Sequence, residues 1–149
     1  MQVNVVIRPF LSSDFDAFCD LLSDEEVMEY IEPPFSRERA AVFFQDTCHC
    51  TPPLIYAVDF EGVFAGYVIF HDYDDNSMEI GWILHRKMWG KGIATQLTAM
   101  LIEKSRSLGK SAVIECHPNQ YATKHIAHKF GFVYADIREG CEVYRLSFC

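Results

Sequence analysis

The 149-residue sequence lacks several features that would place it in specialised classes of protein. No apolar stretch approaches the roughly 20 residues that a membrane-spanning helix needs. The first residues lack the basic start and long apolar run of a secretion signal, so we expect a cytoplasmic protein that does not bind membranes. There is no linker, internal repeat or low-complexity segment, and the length suits one domain over residues 1–149.

Positive charge is also scarce. The chain has 13 Lys and Arg residues against 21 Asp and Glu residues, a formal net charge of −8. General nucleic-acid binding is therefore not expected, because it requires a cationic surface. Residues 1–79 carry 3 basic and 16 acidic side chains, whereas residues 86–110 carry six basic side chains and only Glu103 as an acid. This contrast suggests a local anion site, although a solvated helix face would give the same pattern.

The six cysteines do not form the spacing of a metal site or of a disulfide framework. Cys48 and Cys50 flank His49, but zinc sites usually separate paired cysteines by two to four residues, and no second pair follows. A chain with this many core residues and no secretion signal does not need disulfides. We therefore predict reduced thiols and no metal.

Hydrophobic spacing divides the chain into strands and helices. Apolar and β-branched runs predict strands at residues 4–8, 54–59, 63–70, 78–84, 111–116, 132–135 and 142–148. Apolar residues three and four apart predict helices at residues 13–22, 36–45, 93–108 and 120–130. They also predict a helical turn between Ser23 and Ile31, which Pro33 ends. This order predicts a mixed sheet with helices on its faces.

A glycine-containing loop, Trp89-Gly90-Lys91-Gly92-Ile93-Ala94, joins a predicted strand to the longest helix. Glycines let a backbone approach an anion closely, and the first amides of a helix point at whatever lies beyond its N-terminus. Arg86, Lys87 and Lys91 add positive charge there. The loop is neither a Walker loop nor a G-x-G-x-x-G motif. It is interpreted as a pyrophosphate cradle, and a structural turn is the alternative.

Three segments together carry a family pattern. Met78–Leu84 followed by Trp89–Thr95 resembles the acetyl-CoA signature of the GNAT family of N-acetyltransferases, with Trp89 in place of its first Arg or Gln. The likeness is greatest to the branch containing ribosomal-protein N-terminal acetyltransferases. Val6–Phe10 resembles the opening of the family, and Lys129–Phe132 resembles its Lys-x-Gly-Phe motif.

The resemblance implies an α/β fold and an acetyl-CoA site. The expected fold is a mixed, mostly antiparallel sheet of about seven strands, flanked by about four helices, with a splay between strands four and five. Backbone groups of the fourth strand would bind pantetheine, the glycine loop would bind pyrophosphate, and an amide side chain at the start of the last helix would assist. The residues so implied are Trp82, Ile83, Leu84, Trp89, Gly90, Lys91, Gly92, Ile93, Ala94, Thr95, Asn119 and Gln120.

The resemblance also implies two candidates for the base that deprotonates the acceptor amine. Glu115 matches the general base of ribosomal-protein alanine acetyltransferases, and Glu79 on the preceding strand is the alternative. The tyrosine that often protonates the leaving thiolate is replaced by Ala127, so another tyrosine (Tyr121, Tyr134 or Tyr144) or water would supply that proton. His71 and His85 close strands, where solvated histidines are ordinary.

The expected activity is therefore acetyl transfer from acetyl-CoA to a primary amine by direct attack in a ternary complex. The acceptor region of the family corresponds here to the acidic residues 14–46 and 72–75, which favours a cationic amine: a polyamine, an aminoglycoside, a peptide N-terminus or a lysine. A catalytically inactive acyl-CoA-binding module or sensor is the alternative. The resemblance is also compatible with a homodimer, on which no residue of the sequence decides.

Overall fold

Seven strands with alternating buried and exposed side chains build the centre of the molecule. The structure is a computed structural model that describes residues 4–148. Its strands are β1 Val5–Arg8, β2 Ile55–Phe60, β3 Val63–Asp74, β4 Ser77–Leu84, β5 Ser111–Cys116, β6 Val133–Arg138 and β7 Cys141–Leu146. The predicted strands are all present, and β3 extends four residues beyond its predicted end because it continues to pair with β4.

Four α-helices flank the sheet: α1 Phe15–Ser23, α2 Arg37–Cys48, α3 Ile93–Ser107 and α4 Tyr121–Lys129. Short 3-10 turns at Ser12–Asp14 and Arg86–Met88 precede α1 and α3. Ser36 begins α2 as its N-cap, with its hydroxyl accepting a hydrogen bond from the backbone N–H of Arg39 at 3.1 Å. Such a cap satisfies one of the amide donors that a helix start leaves unpaired.

The strands form one sheet in the order β1-β2-β3-β4-β5-β7-β6. Neighbours are antiparallel except β4 and β5, which are parallel. Strand β4 pairs with β5 only from Ser77 to Glu79, and beyond Glu79 the two strands separate. The expected mixed sheet and the splay between its fourth and fifth strands are thereby confirmed.

Each face of the sheet is covered by a different pair of helices. One face packs against the apolar side of α3, where Leu97 and Leu101 are fully buried, together with Ala127 of α4. The other face packs against α1 and α2 through Phe18 and Phe44. Because side chains alternate along a strand, neighbouring residues of β4 and β5 face these two different environments.

The segment between α1 and α2 contains the predicted helical turn but no regular helix, and the backbone N–H of Met28 donates to the carbonyl oxygen of Asp24 at 3.1 Å. Residues 25–31 form successive turns and no helix. The Asp24 side chain accepts hydrogen bonds from the backbone N–H groups of Glu26 and Val27, the contact that an N-cap residue makes at the start of a helical turn. We call residues 24–34 the turn segment.

Three further findings concern the described residues. None of the helices within residues 4–148 has the length and apolarity needed to cross a bilayer. No group of three or more His, Cys, Asp or Glu side chains in this part of the chain is placed to hold a metal ion. The five cysteines that the structure describes are free thiols, and Cys149 lies outside the described residues.

Candidate functional site

The separation of β4 from β5 opens a large cleft in the sheet. From Ile80 onward, the edge of β4 that would face β5 has no paired strand, so its backbone groups are available to a ligand. A cavity of about 790 Å³ lies here. It is lined by the end of β4, the glycine loop, the first turn of α3 and the exposed side of α4.

The glycine loop has the backbone conformation that glycine allows. Gly90 and Gly92 have φ angles of 74° and 80°, in the left-handed region, and Gly92 is the N-cap of α3. A Cβ atom added at either glycine would meet no other atom within 4 Å. The indole Nε1 of Trp89 donates a hydrogen bond to the carbonyl oxygen of Leu84 at 3.0 Å, which ties the loop to the end of β4. The first amides of α3 therefore border open space, as a bound anion requires.

The basic residues before the loop divide into two groups. The side chains of Lys87 and Lys91 are exposed and form no ion pair within the described residues. Arg86 instead pairs with the turn segment, through Asp24 at 2.7 Å and Glu26 at 3.2 Å. Arg86 therefore fixes the turn segment against the start of the glycine loop, where the sequence analysis had expected it to add charge for an anion.

A second, smaller cavity of about 170 Å³ lies where the strands begin to separate. Glu79, Glu115 and Cys141 line it, and register places these three residues on the same face of the sheet, opposite the face covered by α3. The two cavities share six lining residues: Tyr30, Ile31, Trp82, Ile83, Gln120 and Thr123. The splay thus connects a cavity on one side of the sheet with a cavity on the other.

Burial dominates the electrostatics of Glu79. Its side chain is 23% exposed, and desolvation raises the pKa of its carboxyl group above the ordinary value. The nearby charge of Glu115 raises the pKa further, while His71, whose Nε2 lies 3.6 Å from Oε1 of Glu79, lowers it when the imidazole is protonated. A carboxylate with a raised pKa is suited to accept a proton near neutral pH.

Tyr73 lies beside Glu115. Its hydroxyl group is buried and has no well-formed hydrogen bond to any residue in the described part of the chain, and burial together with the interaction between this hydroxyl and the Glu115 carboxylate raises the pKa of Tyr73 to about 12. The guanidinium groups of Arg138 and Arg145 lie over its ring, at 5.2 and 5.4 Å from the ring centroid. The tyrosine is therefore held in place from the β6–β7 side of the sheet.

Comparison with known proteins identifies this architecture. The sequence model of the family described as "Acetyltransferase (GNAT) domain" matches residues 4–133. The chain belongs to the GNAT acetyltransferase family. It is accordingly an acyltransferase, and the resemblance noted in the sequence is confirmed.

Individual relatives have low sequence identity to this chain but match most of its length. An uncharacterised N-acetyltransferase, YnaD of Bacillus subtilis, is 26% identical over 136 residues, which cover 85% of this chain and 78% of the relative. The solved structure of RimL, a ribosomal L7/L12 alpha-N-protein acetyltransferase, has a TM-score of 0.80 and 19% identity, covering 99% of this chain and 92% of its own. A spermidine N-acetyltransferase from Vibrio cholerae, solved with CoA and spermine, has a TM-score of 0.76 and 18% identity, covering 95% and 92%.

Most of the GNAT site residues predicted from the sequence meet at one place. The large cavity is lined by every predicted acetyl-CoA residue except Lys91. The Gln120 amide oxygen accepts a hydrogen bond from the backbone N–H of His117 at 2.7 Å, whereas Asn119 is exposed. Gln120 is thus occupied in closing the end of β5, and the side-chain amide of Asn119 is the more accessible one.

The three tyrosines considered as proton donors lie at different places relative to the cavities. Tyr121 lines the large cavity, and neither Tyr134 nor Tyr144 lines either cavity. The Tyr144 hydroxyl donates to Glu142 at 2.6 Å. Tyr30 of the turn segment lines both cavities, and its ring centroid lies 5.2 Å from that of His117. Its only signal in the sequence is its place in the acidic acceptor region.

Proposed function

We propose that the chain transfers the acetyl group of acetyl-CoA to a primary amine by direct attack while both substrates are bound. The observation that carries this proposal is the meeting of two unlike cavities at the splay. One has helix amides and open backbone groups, and the other has two carboxylates. Acetyl transfer needs such a meeting place, because the amine must reach the thioester through the sheet.

The large cavity fits acetyl-CoA by its chemistry. Open space before Gly90 and Gly92 lets phosphate oxygens approach the first amides of α3, and Lys87 and Lys91 add charge nearby. The unpaired edge of β4 at Trp82–Leu84 offers backbone donors and acceptors to the amide groups of pantetheine. The similarity to a spermidine N-acetyltransferase solved with CoA supports the same assignment.

Among the two glutamates, Glu79 is proposed as the group that takes a proton from the acceptor. Its carboxyl pKa is raised by burial and by the charge of Glu115. Glu115 is then the second carboxylate of the small cavity, and its negative charge both favours the ammonium form of the incoming amine and strengthens Glu79 as a base. The leaving thiolate would take its proton from water, from the Tyr121 hydroxyl in the large cavity, or from the nitrogen of the tetrahedral intermediate, since Ala127 is fully buried and provides no hydroxyl.

A cationic amine is the proposed class of acceptor. The small cavity carries two carboxylates, and it opens beside a turn segment that contains Asp24, Glu25, Glu26, Glu29 and Glu32. Negative potential of this kind attracts and orients cationic substrates. Polyamines and protein N-termini are the acceptors named for two similar structures, and both carry such an amine.

The test measures CoA release with acetyl-CoA and a panel of amines: a polyamine, an aminoglycoside, a lysine peptide and a peptide with a free N-terminus. We expect turnover with at least one cationic amine. Glu79→Gln should lower kcat by about 10²- to 10⁴-fold, the usual contribution of a general base. The matched control Glu103→Gln changes an exposed carboxylate on α3, outside both cavities, and should leave kcat unchanged.

Binding is measured in parallel, as thermal stabilisation by acetyl-CoA. Stabilisation without turnover on any amine would contradict the enzyme and favour the inactive acyl-CoA-binding module, for which the loss of the usual tyrosine at Ala127 is the supporting feature. No stabilisation at saturating acetyl-CoA would contradict both and leave the glycine loop a structural turn.

A further inference from the structure

A histidine outside both cavities lies next to the proposed base. His71 on β3 is the register partner of Glu79 on β4, and its Nε2 is 3.6 Å from Oε1 of Glu79. Its other ring nitrogen, Nδ1, is 3.0 Å from the backbone carbonyl oxygen of Asp72. A carbonyl oxygen can only accept a hydrogen bond, so Nδ1 carries the ring hydrogen in this contact. The lone pair of the neutral ring is therefore on Nε2, which faces Glu79.

The position of His71 connects Glu79 with solvent. Glu79 lines the small cavity, whereas His71 does not, and the His71 side chain is 28% exposed. The His71 side chain is thus slightly more exposed than the 23% of Glu79, and it offers a route from the cavity through the carboxylate to water. Contacts between catalytic groups are often loose before substrate binds and shorten in the complex, so a separation of 3.6 Å suits proton transfer once the amine is bound.

We propose that His71 is a proton relay that receives at Nε2 the proton taken up by Glu79 and releases it to solvent. The inference rests on the proposed function, because the proton originates on the acceptor amine. His71 acts through Glu79 and does not touch the acceptor, so it is a positioning and relay residue.

The proton count of the reaction requires that one proton reaches solvent, and His71 offers a route for it. An ammonium acceptor that becomes an amide loses two protons, of which one ends on the CoA thiol and one leaves to solvent. In the relay, an N–H bond of the ammonium breaks as an O–H bond forms on Glu79. That O–H bond then breaks as an N–H bond forms at Nε2 of His71. The imidazolium gives this proton to water, which restores the neutral ring.

The other groups that face Glu79 are poorer proton acceptors. Glu115 faces it from β5, and Cys141 faces it from the start of β7. Glu115 lines the same cavity, so a proton placed on it would still be inside the site. Burial raises the pKa of the Cys141 thiol, which keeps that group protonated near neutral pH. Among these three neighbours, His71 alone has a proton-accepting atom next to Glu79 and lies outside the small cavity.

The kinetic test compares wild type with His71→Gln, and with His128→Gln as the matched control. Glutamine keeps a polar side chain opposite Glu79 but cannot carry a proton. We expect His71→Gln to lower kcat by about tenfold or more while the KM for acetyl-CoA stays unchanged. Imidazole added to the buffer should restore kcat, because it can carry the proton from Glu79 to water. Without imidazole, the dependence of kcat on pH should differ from that of wild type. His128 is an exposed histidine of α4 that lines neither cavity, and its variant should behave as wild type.

Two results would overturn the relay. One is wild-type kcat for His71→Gln in weak buffer. The other is a loss of kcat that imidazole does not restore and that is accompanied by weaker stabilisation by acetyl-CoA, because that pattern describes a structural role. Failure of the proposed function would look different, since wild type itself would then show no turnover with any amine.

A measurement independent of turnover shows which ring nitrogen of His71 carries the hydrogen. Nitrogen-15 NMR of the His71 ring should show the hydrogen on Nδ1 in the neutral form, with an Nε2 signal that moves in Glu79→Gln. A neutral ring with its hydrogen on Nε2, or an Nε2 signal that ignores Glu79→Gln, would overturn the relay even in the absence of an active substrate.

Discussion

A pair of glycine variants tests whether the glycine loop binds the phosphates of acetyl-CoA. Gly92 at the start of α3 and Gly109 just beyond its end are both exposed, with φ angles of 80° and 71°. A Cβ atom at either position would meet nothing within 4 Å. Alanine at each site therefore suffers the same left-handed strain without a clash. The two sites lie at opposite ends of a helix that is about 22 Å long.

The expected loss of stability is equal in the two variants. A left-handed non-glycine residue costs about 1–2 kcal/mol. For a chain of this length, that corresponds to a decrease of about 3–6 °C in Tm. Differential scanning fluorimetry without ligand should therefore give Gly92→Ala and Gly109→Ala similar midpoints, both below wild type.

The ligand response should separate them. Acetyl-CoA at 100 times its Kd stabilises a protein by about 2.7 kcal/mol, or about 9 °C here. A methyl group at Gly92 would hold phosphate away from the helix amides, and the loss of one hydrogen bond to a charged group weakens binding by about tenfold or more. At the same ligand concentration, the stabilisation then falls to about 1.4 kcal/mol or less. Gly109→Ala should keep the full response. Equal responses in both variants would refute the phosphate role of the loop.

Two further predictions concern pH and stability. Glu79→Gln should raise Tm at pH 8 but not at pH 4. The Glu79 carboxyl group has a pKa above 4.5 in the folded state, so it destabilises the fold only once the pH has risen through this raised pKa and the group has ionised. Equal Tm changes at both pH values would show that the charge is not the cause. Asp14→Asn should lower stability by about 2–3 kcal/mol, because Asp14 is 8% exposed and makes two 2.8 Å hydrogen bonds to Arg8. The pKa of Asp14 is lowered by Arg8, so this contribution is present above pH 3.8 and disappears on acidification, as urea unfolding at several pH values would measure. Asp16→Asn, at an exposed ion pair, should cost less than about 1 kcal/mol.

The strands and the glycine loop were predictable because their signals are local. Strand β5 was predicted at Ser111–Cys116, its observed bounds, because an apolar run lies between a glycine stop and a proline. Gly92 lies between a strand and an amphipathic helix, and only a residue tolerant of positive φ suits that turn. Local propensity and tertiary structure agree at these places, which is why sequence reasoning succeeds there.

The position of the turn segment was not predictable, although its helical turn was, because a long-range contact fixes that position. The spacing of Val27, Met28 and Ile31 suits a helix as well as a series of turns. The deciding interaction is the pairing of Asp24 with Arg86, which is 62 residues away in the chain. No local pattern contains that partner.

The pair of His71 and Glu79 escaped sequence reasoning for a similar reason. From the sequence, His71 was interpreted as a solvated histidine at the end of a strand, because the predicted strand stopped at Phe70. Only the observed extension of β3 to Asp74 places His71 opposite Glu79. A strand end that is wrong by a few residues therefore conceals a cross-strand pair, even when one of the two residues is already a site candidate.

The short parallel contact between β4 and β5 explains why the site is at this place in the sheet. A parallel pair that continued past Glu79 would close the sheet and separate the two cavities, with the basic start of α3 on one side and the two carboxylates on the other. An anionic co-substrate and a cationic acceptor attract opposite charges, so placing them on opposite sides of one sheet keeps each from the other's binding groups. The three paired residues of β4 hold the strands together at one end, and the gap beyond them is where the proposed reaction would occur.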